Sequence, residues 1–341
     1  MFGQILTIAS NTFYESVRQP VVLVAMVVAT LLVVLSNPFA AFTMQDDQRM
    51  FIDIGLSTVF ICATILAAFI ATNVVNREIE NRTVLMVISK PVGRAPFVVG
   101  KFVGVAAAIL LVLVYMSLVF VLVERHGTLQ TVRTPYHLPV IAFGLGGLAL
   151  ATGIGVWCNY FYGKVFSSTV LFSAVPILLV AYFLSMLFKA DFTGDSLAAG
   201  FRSDIWLAIA AMSMAILVLT AIAVAASTRL GQVLTVAVTL GVFMTGMLSD
   251  WLFGRPAARF ADVLATSSSD AALGATKFGL AVTKTLYSVV PNFQVFWLSD
   301  ALTQKSPIPL SYIATLIPYG LLHVVVALAI AVALFQDREV G

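Results

Sequence analysis

The chain has 341 residues, 60% of them hydrophobic and 10% charged, with a mean hydropathy of +1.02. Ordinary soluble domains carry roughly 25% charged residues, so this composition excludes one and indicates an integral membrane protein. The net charge of +3 comes with no Lys/Arg run dense enough to follow a phosphate backbone, which argues against a nucleic-acid partner.

In chain order, Phe2, Ile5, Leu6, Ala9, Phe13 and Val17 recur at helical spacing opposite Gln4, Thr7, Asn11, Glu15 and Arg18. That pattern predicts an interfacial amphipathic helix over 2–18, read as part of the mature protein rather than as a signal peptide. A hydrocarbon core needs about 20 apolar residues per helix. On that ruler the sequence predicts eight spans, at 20–41, 54–76, 97–123, 138–157, 165–187, 205–226, 230–250 and 311–335. The expected fold is an all-α polytopic helical bundle, one transmembrane domain over 1–341 with both termini on one side. Tight joints at "CNYFYGKVFSS" and "STRLGQ" predict two helical hairpins that resemble each other loosely. The connection 251–310 contains Pro256, Pro291, Pro307 and Pro309 and is expected to hold short interfacial or re-entrant helices.

Charge bias gives an orientation. With the N-terminus inside, the cytoplasmic set is Arg18, Arg77, Arg82, Lys90, Arg94, Lys101, Lys164, Arg229 and Arg338. The short outer loops hold only Arg49, Arg125, Arg133, Lys189 and Arg202, while Asp46, Asp47, Asp53, Glu124, Asp191, Asp195 and Asp204 all fall outside. The five basic residues of the long connection dilute this bias, since they lie where the rule loses force. The expectation is a multi-pass protein of the cytoplasmic membrane with both termini in the cytoplasm.

The stretch "REIENRTVLMVISKPVGR", 77–94, concentrates six charges between the second and third spans. Ile79, Val84, Leu85, Val87 and Ile88 alternate with Glu78, Glu80, Asn81 and Arg82, which predicts a short amphipathic helix ended by Lys90, Pro91, Gly93 and Pro96. Such a helix either rests on lipid headgroups or docks into a groove on a soluble partner.

"EIENRTVLMVISKPVGRAPFVVGKF" resembles the signature of the ABC-2 type transporter permeases. "VVPNFQVFWLSDA" and "ALFQDREV" resemble the last loop and last helix of the subgroup that includes the nitrous oxide reductase maturation permease. The resemblance implies a permease that is not itself an enzyme, paired with a second permease subunit as homodimer or heterodimer and driven by separate ABC ATP-binding subunits. It makes 77–90 a cytoplasmic coupling helix, with Arg77, Glu78, Glu80, Asn81, Arg82, Thr83, Lys90 and Arg94 as the ATPase-coupling residues. The family usually has six spans, so eight implies an extra hairpin, either 138–187 or 205–250.

The chain has no phosphate loop of its own. In "GRAPFVVGKF" six residues separate Gly93 from Gly100 where four are needed, and Phe102 stands where Ser or Thr must reach Mg²⁺. No cofactor is therefore expected in this chain; ATP and Mg²⁺ would sit on the partner subunit. Gly100, Gly104 and Ala108 form a small-residue face for close helix packing, and Gly147, Ala151 and Gly155 a second. Three scattered histidines and isolated Cys62 and Cys158 make no metal-binding pattern. Among polar residues within spans, Asn73 and Tyr115 are candidates for lining a path, and the near absence of deep charges suits a bulky or hydrophobic substrate.

Two other classes stay open. A membrane-embedded enzyme for lipid-linked substrates would have to use Asp250, Asp262, Asp270 and Asp300, which lack a D-x-x-x-D spacing or a neighbouring His. A non-transporting assembly or maturation scaffold would use the same ATPase contact without passing a substrate.

Overall fold

Within hydrocarbon every peptide group must be satisfied by its own segment, so long apolar runs fold as helices. The computed structural model describes residues 2–41, 47–80, 93–128, 136–266 and 270–336, and the side chains of all these except 75–80, 198–199 and 270–273. The helices are α1 (Phe2–Val17), α2 (Pro20–Ala40), α3 (Asp47–Glu80), α4 (Arg94–His126), α5 (Leu138–Tyr162) and α6 (Phe166–Met186). They continue with α7 (Leu197–Gly200), α8 (Ser203–Ser227), α9 (Gln232–Met247), α10 (Arg255–Thr266), α11 (Asp270–Val289), α12 (Ser299–Thr303) and α13 (Leu310–Gln336). The described residues contain no strand, only an isolated bridge between Phe188 and Gly194.

Seven of these helices are long and apolar enough to cross a membrane, and the eighth predicted span is different in kind. Helix α9 has 16 residues, a rise of about 24 Å, short of the roughly 30 Å hydrocarbon core. A π-helical turn at Asp250–Gly254 follows, and the chain bends by 60° into α10. The span predicted over 230–250 is thus met by a bent pair, which makes an eighth crossing if the pair is taken as one span. Beside the bend another segment packs closely on α9: a Cβ on Gly246 would stand 2.3 Å from the Phe293 ring and 2.6 Å from the Pro291 carbonyl. The connection 251–310 is largely helical, and α11 at 20 residues is longer than expected.

Helices α3, α4 and α8 form the centre, with α4 buried over 78% of its apolar window. Around them pack α2, α6, α9 and α13, while α5 lies outside against α6. The α5–α6 turn closes on Gly163 in the left-handed region (φ 62°), which lets the Gly163 and Lys164 amides donate to the Asn159 and Cys158 carbonyls. Gly147, Ala151 and Gly155 face α6: a Cβ on Gly155 would lie 2.4 Å from Val170. The bundle has a loop end, from which the 81–92 connection leaves, and a far end. Ser167 donating to the Val17 and Arg18 carbonyls, and Arg229 to that of Leu334, place α1 and the starts of α6, α9 and the end of α13 at the loop end.

Helix α1 covers the predicted interfacial helix and also packs one side on the bundle. Ala9, Thr12, Ser16 and Val17 are buried, whereas Phe2 and Leu6 are 84% and 65% exposed. The inward side is set by close approach to α4, and Phe2 and Leu6 stay on the outside of the bundle, where an interfacial helix presents apolar side chains to lipid.

Candidate functional site

Three features converge where the chain re-emerges from the 81–92 connection. First, α3 runs unbroken to Glu80, so Arg77, Glu78 and Glu80 belong to its last turn rather than to a separate helix beginning at Arg77. Asn81, Arg82, Thr83 and Lys90 lie outside the described residues. Second, the opening turns of α4 are held tightly. Arg94 donates to the Gln336 carbonyl, and Phe97 stacks on Phe335 at 5.4 Å, pinning the end of α13.

Third, α1 lies directly on α4 across Gly100 and Gly104. A Cβ at Gly100 would sit 2.8 Å from Ile8, and one at Gly104 would sit 2.5 Å from both the Ala9 carbonyl and Thr12. Only glycine allows the two backbones that near. Ala108, one turn on, is fully buried. Between the glycines Lys101 is 3% exposed; its ammonium lies 4.0 Å from Glu15 on α1 and 5.8 Å from the centre of the Phe97 ring. A buried ammonium needs a countercharge, and Glu15 supplies one across the α1–α4 contact. The sequence reading treated Lys101 only as a topology determinant, because its partner is 86 residues away.

Beside this contact a polar cleft of about 780 Å³ opens, lined among others by Asn11, Tyr14, Arg18, Gln19, Asn73 and Gln232. Asn73 Nδ2 donates to Gln19 Oε1 at 3.1 Å. Tyr115 is far from it: the phenol is 4% exposed and pairs with Thr30 at 2.9 Å, tying α2 to α4. Thr30 lies eleven residues beyond Gln19, about 16 Å along a helix, so the structure does not bring the two path candidates together.

The far end is closed by charge and by aromatic packing, neither of which was singled out from the sequence. Arg202 bonds Glu124 on α4 at 2.8 Å and Asp204 on α8 at 2.6 Å, and Arg125 pairs with Asp195 at 3.7 Å. After α11 the segment 291–298 dips between α3, α8, α9 and α13, with Phe293 and Phe296 buried. Phe60 packs edge-on against Phe243 at 5.0 Å and stacks with Trp297 at 6.0 Å; Tyr312 donates to the Val295 carbonyl at 2.7 Å. The four aspartates considered for catalysis are not gathered: Asp250 lies 3.6 Å from Arg255, Asp300 lies 3.6 Å from Arg49, Asp262 is on α10 and Asp270 opens α11. Among the described residues no His, Cys, Asp or Glu group gathers with metal-binding geometry.

Also at the far end, His137 Nδ1 accepts from the Val140 amide at 3.4 Å and caps α5. Burial, with the positive charges of Arg125 and His126, holds its imidazole below the ordinary value of about 6.5. A histidine with a lowered folded-state value contributes stability above about pH 6.5 that is lost as pH falls toward that lower value. Acidification from pH 7.5 to 5 is therefore expected to lower the thermal midpoint, and His137→Asn, which keeps a cap but cannot titrate, to flatten that dependence. An unchanged slope in the variant would exclude His137 as its source.

Residues 6–162 match the family described as ABC-2 family transporter protein. The match takes in α1 to α5, including the α3–α4 connection and both glycines of the α1–α4 contact, and supports a permease component of an ABC transporter. With seven long apolar helices, or eight counting the bent pair, the chain is a multi-pass membrane protein. Comparison with curated proteins found no match.

Proposed function

We propose that the protein is the membrane-spanning subunit of an ATP-driven ABC-2 type exporter, moved by a separate ATP-binding subunit through residues 77–90. The observation that carries this is the family match over 6–162, which spans the charged connection, in a chain that lacks a nucleotide loop of its own. Counted over the short loops of the sequence, the loop-end side holds Arg18, Arg77, Arg82, Lys90, Arg94, Lys101, Lys164, Arg229 and Arg338, against Arg49, Arg125, Arg133, Lys189 and Arg202 on the opposite side. That asymmetry supports a cytoplasmic loop end with both termini inside. A push on 77–90 reaches the end of α3 and the start of α4 at once. Because α4 carries α1 on its glycine face and the end of α13 through Arg94 and Phe97, the three elements would move together.

A second permease copy would complete the transporter. The similarity of the C-terminal segments to the nitrous oxide reductase maturation permease favours a place in that subgroup, where force delivered to an assembly partner is the alternative to export. Exchange of charge by Glu80→Lys with Arg82→Glu is expected to abolish both co-purification with the ATP-binding subunit and stimulation of its hydrolysis by the permease. Unchanged binding and hydrolysis would remove 77–90 as the coupling element; transport in sealed vesicles separates export from assembly.

A further inference from the structure

Where the segment 291–298 dips inward, a cavity opens between it, α11 and α13 that plays no part in the proposed coupling. It measures about 420 Å³, within the range of ligand pockets, and is lined by Tyr287, Ser288, Asn292, Val295, Tyr312, Thr315, Leu316 and Tyr319. It lies between the end of α11, the dipping segment and the first half of α13. Since α12 is joined to the start of α3 through the Arg49–Asp300 pair, this is the far end of the bundle.

Its wall has a definite hydrogen-bonding character. Tyr319 Oη accepts from the Asn292 amide at 2.8 Å, and Tyr287 Oη accepts from Asn292 Nδ2 at 3.4 Å. Both phenols thus use a lone pair on Asn292 and keep their own protons for donation. Tyr312 does the opposite: its proton goes to the Val295 carbonyl, leaving its lone pairs to accept. Ser288 and Thr315 spend their protons on the Lys284 and Tyr312 carbonyls and can likewise accept. Aromatic faces separate these groups. Among the described residues, no Asp, Glu, Lys, Arg or His lines the cavity.

An anionic headgroup would be desolvated there without a countercharge. A quaternary ammonium would find rings to face but would leave both phenol protons without acceptors. A ring polyol suits the wall: its hydroxyls both give and take hydrogen bonds at its rim, and its C–H face lies flat on a phenol ring.

We propose that the Tyr287–Asn292–Tyr312–Tyr319 cavity binds an uncharged, hydroxyl-bearing ring, either a free sugar or the sugar head of an uncharged glycolipid, at the end of the bundle opposite the 81–92 connection. Binding here requires no ATP-binding subunit, so its outcome is independent of the coupling proposal. The test uses the full chain in lipid nanodiscs prepared without glycoside detergent. One arm titrates methyl β-glucoside by calorimetry and saturation-transfer NMR; the other compares nanodiscs with and without monoglucosyl diacylglycerol by thermal midpoint and by mass spectrometry of retained lipid. Tetramethylammonium chloride and inorganic phosphate are the charged probes.

Saturable binding in the free-sugar arm, or retention in the lipid arm, is the expected result. Tyr287→Phe with Tyr319→Phe is expected to weaken it at least tenfold. Tyr287→Phe alone, at a residue on the cavity rim whose ring is retained, keeps the test valid if the double variant does not fold, and is expected to weaken binding at least threefold. No binding in either arm, binding unaltered by these hydroxyl deletions, or preference for tetramethylammonium or phosphate would each overturn the proposal.

Discussion

Gly104→Ala should loosen the N-terminal helix from the bundle and weaken coupling, although it adds one methyl group to a helix that would otherwise welcome it. Alanine is intrinsically favoured over glycine in a helix by about 1 kcal/mol. At Gly104 that gain is opposed by a Cβ 2.5 Å from the Ala9 carbonyl and from Thr12, distances that real Cβ atoms do not adopt. One obstacle is the Ala9 carbonyl and another the Thr12 Cβ, whose place the backbone fixes, so neither can rotate away as the end of a side chain does. Helix α1 must therefore shift, with a net cost of about 1–3 kcal/mol, typical of overpacking. Gly104→Leu extends the same clash and should unseat α1 altogether, exposing Lys101 and separating it from Glu15.

The matched control is Gly146→Ala on α5, where no atom lies within 4 Å of the added Cβ and the change should be neutral or stabilising. Thermal unfolding in nanodiscs should show a lower midpoint for Gly104→Ala than for Gly146→Ala. Under the proposed coupling, hydrolysis by a separate ATP-binding subunit should lose its response to the permease only in the former. If the two variants behave alike, the α1–α4 contact does not transmit the stroke.

Residues 100 and 104 show what a sequence makes legible and what it withholds. The i, i+4 spacing of glycines marks a close-packed face at the start of α4, and the spacing of apolar residues in 2–17 marks a helix. Neither pattern names the other as its partner. The side of α1 that meets the bundle is decided by that pairing, so Thr12 and Ser16 are buried beside Ala9 and Val17 although their side chains alone do not mark them as core. The bend after α9 was hidden from the sequence for a similar reason. Residues 230–250 are apolar enough to cross, but the chain bends just after Gly246, which packs against Phe293 from nearly fifty residues downstream. Helix existence was local and could be read; breaks, facings and ion pairs depend on contacts between distant segments. The far-end charges were read as a topology signal, and correctly placed together, yet nothing in their spacing revealed that Arg202 joins Glu124 to Asp204.

That arginine carries the largest expected loss of stability. Removing it by Arg202→Met leaves Glu124, with a side chain only 11% exposed, beside Asp204 and without the guanidinium that bonds both. Breaking a buried pair from one side costs about 3–5 kcal/mol, most of it the desolvation of the charge left behind. The side chains of Arg202 and Asp204 are 31% and 29% exposed, so water recovers part of this and the lower end, about 3 kcal/mol, is expected. Adding Glu124→Gln to Arg202→Met removes the stranded carboxylate and should restore a substantial part of the loss, a positive coupling within the range of about 0.5–3 kcal/mol seen for contacting residues. Arg255→Met provides the exposed comparison: its 3.6 Å pair with Asp250 lies between side chains 66% and 43% exposed, and the change should be worth less than about 1 kcal/mol. Denaturant unfolding of the four variants measures the cycle directly. Simple additivity of Arg202→Met and Glu124→Gln would mean that the pair does not hold α4 to α8. Coupling as expected would identify the ends of α4 and α8 as one mechanical unit at the far end, which any opening of the bundle there would have to separate.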